Sequence, residues 1–132
     1  MPKTILIDGK LMGWINSSIK NLDANTLITP YNSNVTIKNC KMYQQEDVIT
    51  IECAVELSTA TANTYVISIN SDYRPAEFGG VTNAVGPCVA RLTAVGSGVT
   101  HPAIAWVVGG NVYVTSDTAC KAYIFRLQYR KA

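Results

Sequence analysis

Between Asp47 and Leu57 the chain places Ile49, Ile51, Cys53, Val55 and Leu57 at every second position, with Thr50, Glu52, Ala54 and Glu56 between them. A period of two puts the apolar set on one face of an extended strand and the polar set on the other, whereas a helix would scatter both around its surface. The same alternation returns in the last strand, where Tyr123, Phe125, Leu127 and Tyr129 share a face opposite Ile124, Arg126 and Gln128. No stretch of helix length carries a sustained apolar face at i, i+3, i+4. Further strands are expected at Thr4 to Ile7, Leu11 to Ile15, Thr26 to Thr29, Asn34 to Gln44, Thr64 to Ile69, Cys88 to Val95, Ala103 to Val108, Asn111 to Thr115 and Ala119 to Tyr129. The expected fold is all-β: a single-domain antiparallel β-sandwich of jelly-roll type over residues 1–132.

Composition agrees with one packed core. Hydrophobic residues make up 48% of the 132 positions and charged residues 15%, so apolar surface is ample and self-repulsion small. A net charge of +2, with Arg126, Arg130 and Lys131 the one basic cluster, gives no basic stripe for nucleic acid. No apolar run approaches the roughly 20 residues that a spanning helix requires, so no membrane insertion is expected. The start reads Met1-Pro2-Lys3-Thr4, then Ile5 to Ile7 and Asp8, too short an apolar run for a signal peptide. Cytoplasmic synthesis is expected, which leaves the sequons at Asn16 and Asn34 empty.

The strand from Asn34 should return against Asp47 to Leu57 as a hairpin, and two registers compete. A three-residue loop at Gln45, Glu46 and Asp47 sets Tyr43 opposite Ile49, Ile37 opposite Val55 and Val35 opposite Leu57, with Cys40 facing Glu52. A two-residue turn at Glu46 and Asp47 sets Cys40 opposite Cys53, but aligns Lys38 with Val55 and Gln44 with Ile49 on the core face. The pattern favours the first register, and hence no Cys40–Cys53 disulfide. Gly109-Gly110 marks a second hairpin, because short turns of the primed type demand positive φ. Ser71 to Pro87 and Gly96 to Pro102 read as structured loops; Pro75 makes Arg74 extended, and Gly79-Gly80 allows a sharp turn.

Chemistry is sparse. His101 is the one imidazole, it precedes Pro102, and no glycine-flanked nucleophile accompanies it. Glu52 and Glu56 lie four residues apart on one strand face, roughly 13 Å in an extended chain, and do not face each other across a cleft. Asp8, Asp23, Asp47, Asp72 and Asp117 stand at turns or strand ends, where Asp caps local backbone. Cys40, Cys53, Cys88 and Cys120 lack the close pairing of a zinc site and read as buried free thiols. The glycine pairs precede no Lys-Ser/Thr and no helix, so no phosphate cradle is expected. No catalytic residue, metal or cofactor is expected. Trp14, Tyr31, Tyr73 and Phe78 fall in or beside loops, where flat amphipathic rings either stack on sugars or pack against the sandwich.

From Tyr65 onward the order is an apolar strand, then Asp72-Tyr73-Arg74-Pro75, then Pro87-Cys88-Val89-Ala90-Arg91-Leu92, then Gly109-Gly110-Asn111-Val112-Tyr113-Val114, then a closing aromatic strand. This order resembles the C-terminal head domain of bacteriophage tail-fibre and receptor-binding proteins, with Asp72 standing where that family usually has Gly. The resemblance covers about half the chain. It implies a non-enzymatic virion protein, assembled in the host cytoplasm as a homotrimer, whose loops and subunit grooves bind host cell-surface saccharides. Arg74, in the element that carries the likeness, joins Trp14, Tyr31, Tyr73 and Phe78 as a candidate ligand-binding residue. The alternative is a capsid decoration or structural protein that contacts other virion proteins and binds no glycan.

Overall fold

The computed structural model describes residues 18–78 and 81–132. The chain is an antiparallel all-β sandwich, as its period-two pattern requires. Its strands are β1 (Lys20–Leu22), β2 (Ile28–Pro30), β3 (Val35–Gln45), β4 (Val48–Ile69), β5 (Glu77–Phe78), β6 (Val81–Arg91), β7 (Thr100–Val108) and β8 (Asn111–Arg130). The hydrogen-bonded order is β1-β3-β4-β8-β7-β6-β5, with β2 added on β4 and a further pairing of β6 with β8. That extra pairing closes a ring. The start of β8 pairs with β7 and its later stretch from Ala122 to Phe125 with β6, while β6 and β7 pair with each other. Expected strands at Thr4 to Ile7 and Leu11 to Ile15, and the Gly79-Gly80 turn, lie outside the described residues.

The alternation resolves one core. Ile49, Ile51, Cys53, Val55 and Leu57 of β4 meet Tyr123, Phe125, Leu127 and Tyr129 of β8, and Val66, Ile67, Ile69, Val107, Val112 and Val114 fill the other half. Two strands are longer than the sequence reading. The segments expected at Asp47 to Leu57 and Thr64 to Ile69 are one strand, β4, and those at Asn111 to Thr115 and Ala119 to Tyr129 are one strand, β8. Register shifts between Glu56 and Thr61, Thr61 and Asn63, and Tyr65 and Ile67 interrupt their pairing, and such bulges bend a strand without ending it. The β-branched Thr59, Thr61 and Thr64 carry β4 through the interval that lacks apolar alternation.

Three local expectations are corrected. Thr26 to Thr29 is not a strand throughout: one helical turn, α1 (Ala24–Leu27), precedes β2, because the Asp23 carboxylate accepts the Asn25 N–H at 3.1 Å and caps it. Ser71 to Pro87 is not one irregular loop, since a 3₁₀ turn at Ser71–Tyr73 gives way to β5 and then β6, which ends at Arg91. Leu92 to Val99 forms the loop there, closed by Leu92 N–H to Val99 O at 3.0 Å and held by Glu56, which accepts the Val95 N–H at 2.9 Å.

The third correction is the β3–β4 register. A two-residue turn pairs Gln45 with Val48, so Cys40 sits opposite Cys53 and Tyr43 opposite Thr50. Glu46 takes φ 55°, its carbonyl accepts the Gln44 amide at 2.6 Å, and Asp47 is held by Arg130 at 2.8 Å and by the Lys131 N–H at 2.7 Å. These contacts tighten the turn by one residue. The mismatch disappears at a bulge between Ile37 and Asn39, which expels Lys38 from the ladder and leaves Ile37 opposite Val55 and Val35 opposite Leu57, the pairs expected from the apolar pattern. Each competing register therefore governs one end of the hairpin.

The second hairpin follows expectation: Gly109 and Gly110, at φ 60° and 90°, connect Val108 to its partner Asn111.

Candidate functional site

The Gly109-Gly110 turn fixes more than itself. A two-residue loop that pairs Val108 with Asn111 must pair Trp106 with Tyr113, and both point away from the core, between buried neighbours Ala105, Val107, Val112 and Val114. Across β8, Tyr113 pairs with Tyr65 of β4. Next to Tyr65 lies Tyr31, whose N–H donates to Val66 O at 3.0 Å just beyond β2. Four rings thus form a row over four neighbouring segments. Tyr31 and Tyr65 stack at 5.0 Å between centroids, Tyr65 and Tyr113 meet edge to face at 5.0 Å, and Tyr113 and Trp106 lie near parallel at 6.1 Å. Aromatic pairs at these separations attract by about 0.5–1.5 kcal/mol beyond their buried area.

The row remains reachable from solvent. Tyr31 is 43% exposed, and Tyr65, Trp106 and Tyr113 are half-buried. Polar side chains flank the Tyr65–Tyr113 pair on both sides. Thr115 donates to Asn63 beyond one end of the pair, and Ser68 hydrogen-bonds Asn111 at 2.7 Å beyond the other. Flat rings beside amide and hydroxyl groups suit a ligand that offers apolar C–H faces and hydroxyls together.

Of the residues expected to bind ligand, Tyr31 alone joins this row. Trp14 lies outside the described residues. Phe78 ends β5, opposite Val81. Tyr73 and Arg74 hold the fold together. The Tyr73 carbonyl accepts the Tyr129 hydroxyl, and Lys131 lies 5.7 Å from the Tyr73 ring centre. Arg74 Nε donates to Ile69 O at 2.9 Å while its guanidinium covers Gly110, and Pro75 bridges to Lys131. This segment clamps the end of β8 to the Gly109-Gly110 turn. Sequence reasoning missed Tyr65, Trp106 and Tyr113, although the loop length alone sets Trp106 beside Tyr113.

A second feature lies on the outer face where β3, β4, β8 and β6 run side by side. A groove of about 480 Å³ is lined by Ala54, Pro87, Val89 and Ile124, with Lys41, Glu52 and Arg126 at its rim. Val89 is 42% exposed, and Val85 and Ile104 extend the apolar surface along β6 and β7 at 62% and 45%.

The acid–base groups are dispersed. His101 Nδ1 lies 3.1 Å from Asp117. Glu52 pairs with Arg126 at 3.3 Å and Glu56 with Lys38 at 3.9 Å, as surface charges. Among the described residues no three His, Cys, Asp or Glu side chains converge as a metal site, and no helix is long and apolar enough to cross a membrane.

All four cysteines are free thiols. Burial pushes the Cys88 thiol up to about 12, whereas a hydrogen bond from Cys53 lowers that of the half-buried Cys40. Thiolates alone are alkylated. Iodoacetamide at about pH 8 is therefore expected to label Cys40 well before Cys88 in the native protein, and mass spectrometry finding equal rates would contradict this.

Compared with protein-family models, curated proteins and solved structures, the chain matches none of them.

Proposed function

We propose that this chain is a non-enzymatic recognition head of the phage tail-appendage type, which binds host cell-surface saccharides on the row Tyr31–Tyr65–Tyr113–Trp106. The row is the observation that carries the reading: solvent-reachable rings, stacked or edge to face and flanked by Asn63, Thr115, Ser68 and Asn111, match the alternating apolar and hydroxylated faces of a sugar. The order of elements from Tyr65 to the closing aromatic strand adds the resemblance to tail-fibre heads. A printed array of cell-surface saccharides tests it, with signal expected on a restricted set of glycans. A blank array at high protein concentration, alongside binding to virion particles, would favour the decoration-protein reading instead.

Assembly as a homotrimer is the second part of this proposal. The groove around Pro87, Val89 and Ile124 is apolar and rimmed by charges of both signs, Lys41, Glu52 and Arg126, which suits burial against another copy. Light scattering is expected to give three times 14.3 kDa at micromolar concentration. Val89→Asp places a carboxylate in that surface without touching the core, and it is expected to reduce the mass to that of one chain while the melting temperature of the domain holds. A strict monomer for the parent chain would remove the trimer.

A further inference from the structure

We propose that Cys40 and Cys53 form an oxidative modification site, closing into a cross-strand disulfide that latches the β3–β4 register when the protein meets a hydroperoxide. The two residues are direct partners across antiparallel strands, so their side chains leave the sheet on the same face. Partners in an antiparallel ladder have Cα atoms about 4.5 or 5.5 Å apart, depending on the hydrogen-bonding position, and a disulfide spans Cα separations of about 4.4–6.8 Å. The backbone need not move.

Access and roles differ between the two sulfurs. Cys40 is half-buried and borders a cleft of about 580 Å³ lined also by Asn21, Asp23, Met42 and Tyr43, whereas Cys53 is 3% exposed and does not line that cleft. The neighbouring Cys53 thiol lowers the pKa of Cys40, while Cys40 and burial raise that of Cys53, which favours a thiolate on the outer residue. Cys40 is thus the attacking thiol and Cys53 the resolving one. With hydrogen peroxide, the Cys40 thiolate attacks one oxygen, the S–O bond of a sulfenic acid forms as the O–O bond breaks, and the hydroxide released takes up the proton that Cys40 gave up and leaves as water. Cys53 sulfur then attacks the sulfenic sulfur, the S–O bond breaks, and a second water leaves with the Cys53 proton. Both sulfurs are oxidised and both peroxide oxygens end as water.

The other two cysteines are placed differently. Cys88 shares the same cross-strand row, but Phe125 stands between it and Cys53, and Cys120 is fully buried beside the β8 irregularity. The location gives the bond a purpose. In the competing three-residue-loop register Cys40 would face Glu52, so a Cys40–Cys53 bond selects the tight turn over its alternative. β1 pairs only with Gln44, Tyr43 and Met42, which leaves Cys40 on a stretch of β3 without a strand on its outer side among the described residues. A covalent link there resists fraying of the sheet margin.

The test treats the full chain with hydrogen peroxide, quenches and denatures it, and counts thiols. The expected result is two of the four thiols lost, with the mass of two hydrogens gone and no linked dimer. Digestion after Lys and Glu should then join Asn39–Lys41 to Cys53–Glu56. Closing this short loop is expected to raise the melting temperature by roughly 5–10 °C, reversibly with dithiothreitol. Cys53→Ser should stall at a sulfenic acid on Cys40 that dimedone traps, while Cys88→Ser and Cys120→Ser should still link. Four remaining thiols, a linkage between other cysteines, or sulfinic acid on Cys40 of the parent chain would overturn the proposal. Mapping the parent chain requires no variant to fold.

Discussion

Gly86→Ala is expected to unfold about 10 °C or more below the parent chain, while Gly96→Ala melts with it. A Cβ at Gly86 would lie 2.0 Å from the backbone oxygen of Arg126 and 3.1 Å from a Leu127 methyl. The obstacle is backbone and cannot rotate aside, so β6 must retreat from β8. Retreat opens the ladder that pairs Cys88 with Phe125, Val89 with Ile124, Ala90 with Tyr123 and Arg91 with Ala122, the pairing that closes the ring of β6, β7 and β8. Overpacking costs about 1–3 kcal/mol even where side chains can shift, and here the ladder is lost as well, so about 3 kcal/mol or more is expected. For a chain of this length each kcal/mol moves the midpoint by roughly 3–4 °C. Gly96 has open space around its Cβ position, so the same substitution there controls for the general cost of losing a glycine. Thermal unfolding followed by circular dichroism decides it: equal midpoints for the two variants would mean that β6 does not approach β8 as described.

Gly86 also shows why parts of this fold were hard to read from residues alone. Pro75 and Gly79-Gly80 make the whole stretch from Ser71 to Pro87 read as an irregular loop, yet Gly86 and Pro87 lie inside β6. Proline is tolerated there because β6 pairs with β8 only from Cys88 onward, and glycine because β8 passes so close. Neither condition is local. The bulge at Lys38 is of the same kind, since the pattern of β3 and β4 fits one register near Val35 and the contacts of Asp47 with Arg130 and Lys131 impose another at the turn. Where alternation was strong and both partners lay in it, as in Ile49 to Leu57 and Tyr123 to Tyr129, face and burial were legible directly. The candidate site was legible only at Tyr31. Its other rings sit in strands, where an aromatic reads as core, and Tyr65 reaches Tyr113 through a pairing 48 residues apart in sequence that no local signal announces.

Tyr31→Ala is expected to weaken glycan binding roughly tenfold, about 1.4 kcal/mol, with the fold intact. The ring is 43% exposed, and its recorded aromatic contact is with Tyr65 at one end of the row, so its removal shortens the stacking surface and leaves the core alone. Tyr113→Ala takes away the ring between Tyr65 and Trp106, splits the row, and is expected to weaken binding further, by about tenfold again; its half-buried position adds a modest loss of stability. Tyr31→Phe keeps the stacking face and loses only the hydroxyl, so it should retain most of the affinity. Tyr43→Ala removes a tyrosine of β3, opposite Thr50, that touches no ring of the row, and it should bind as the parent does. Titration calorimetry with a glycan that scores on the array measures all four. If Tyr31→Ala and Tyr113→Ala bind as tightly as Tyr43→Ala while melting normally, saccharides do not lie on this row, and the groove between Ala54, Ile124 and Val89 becomes the surface to mutate next.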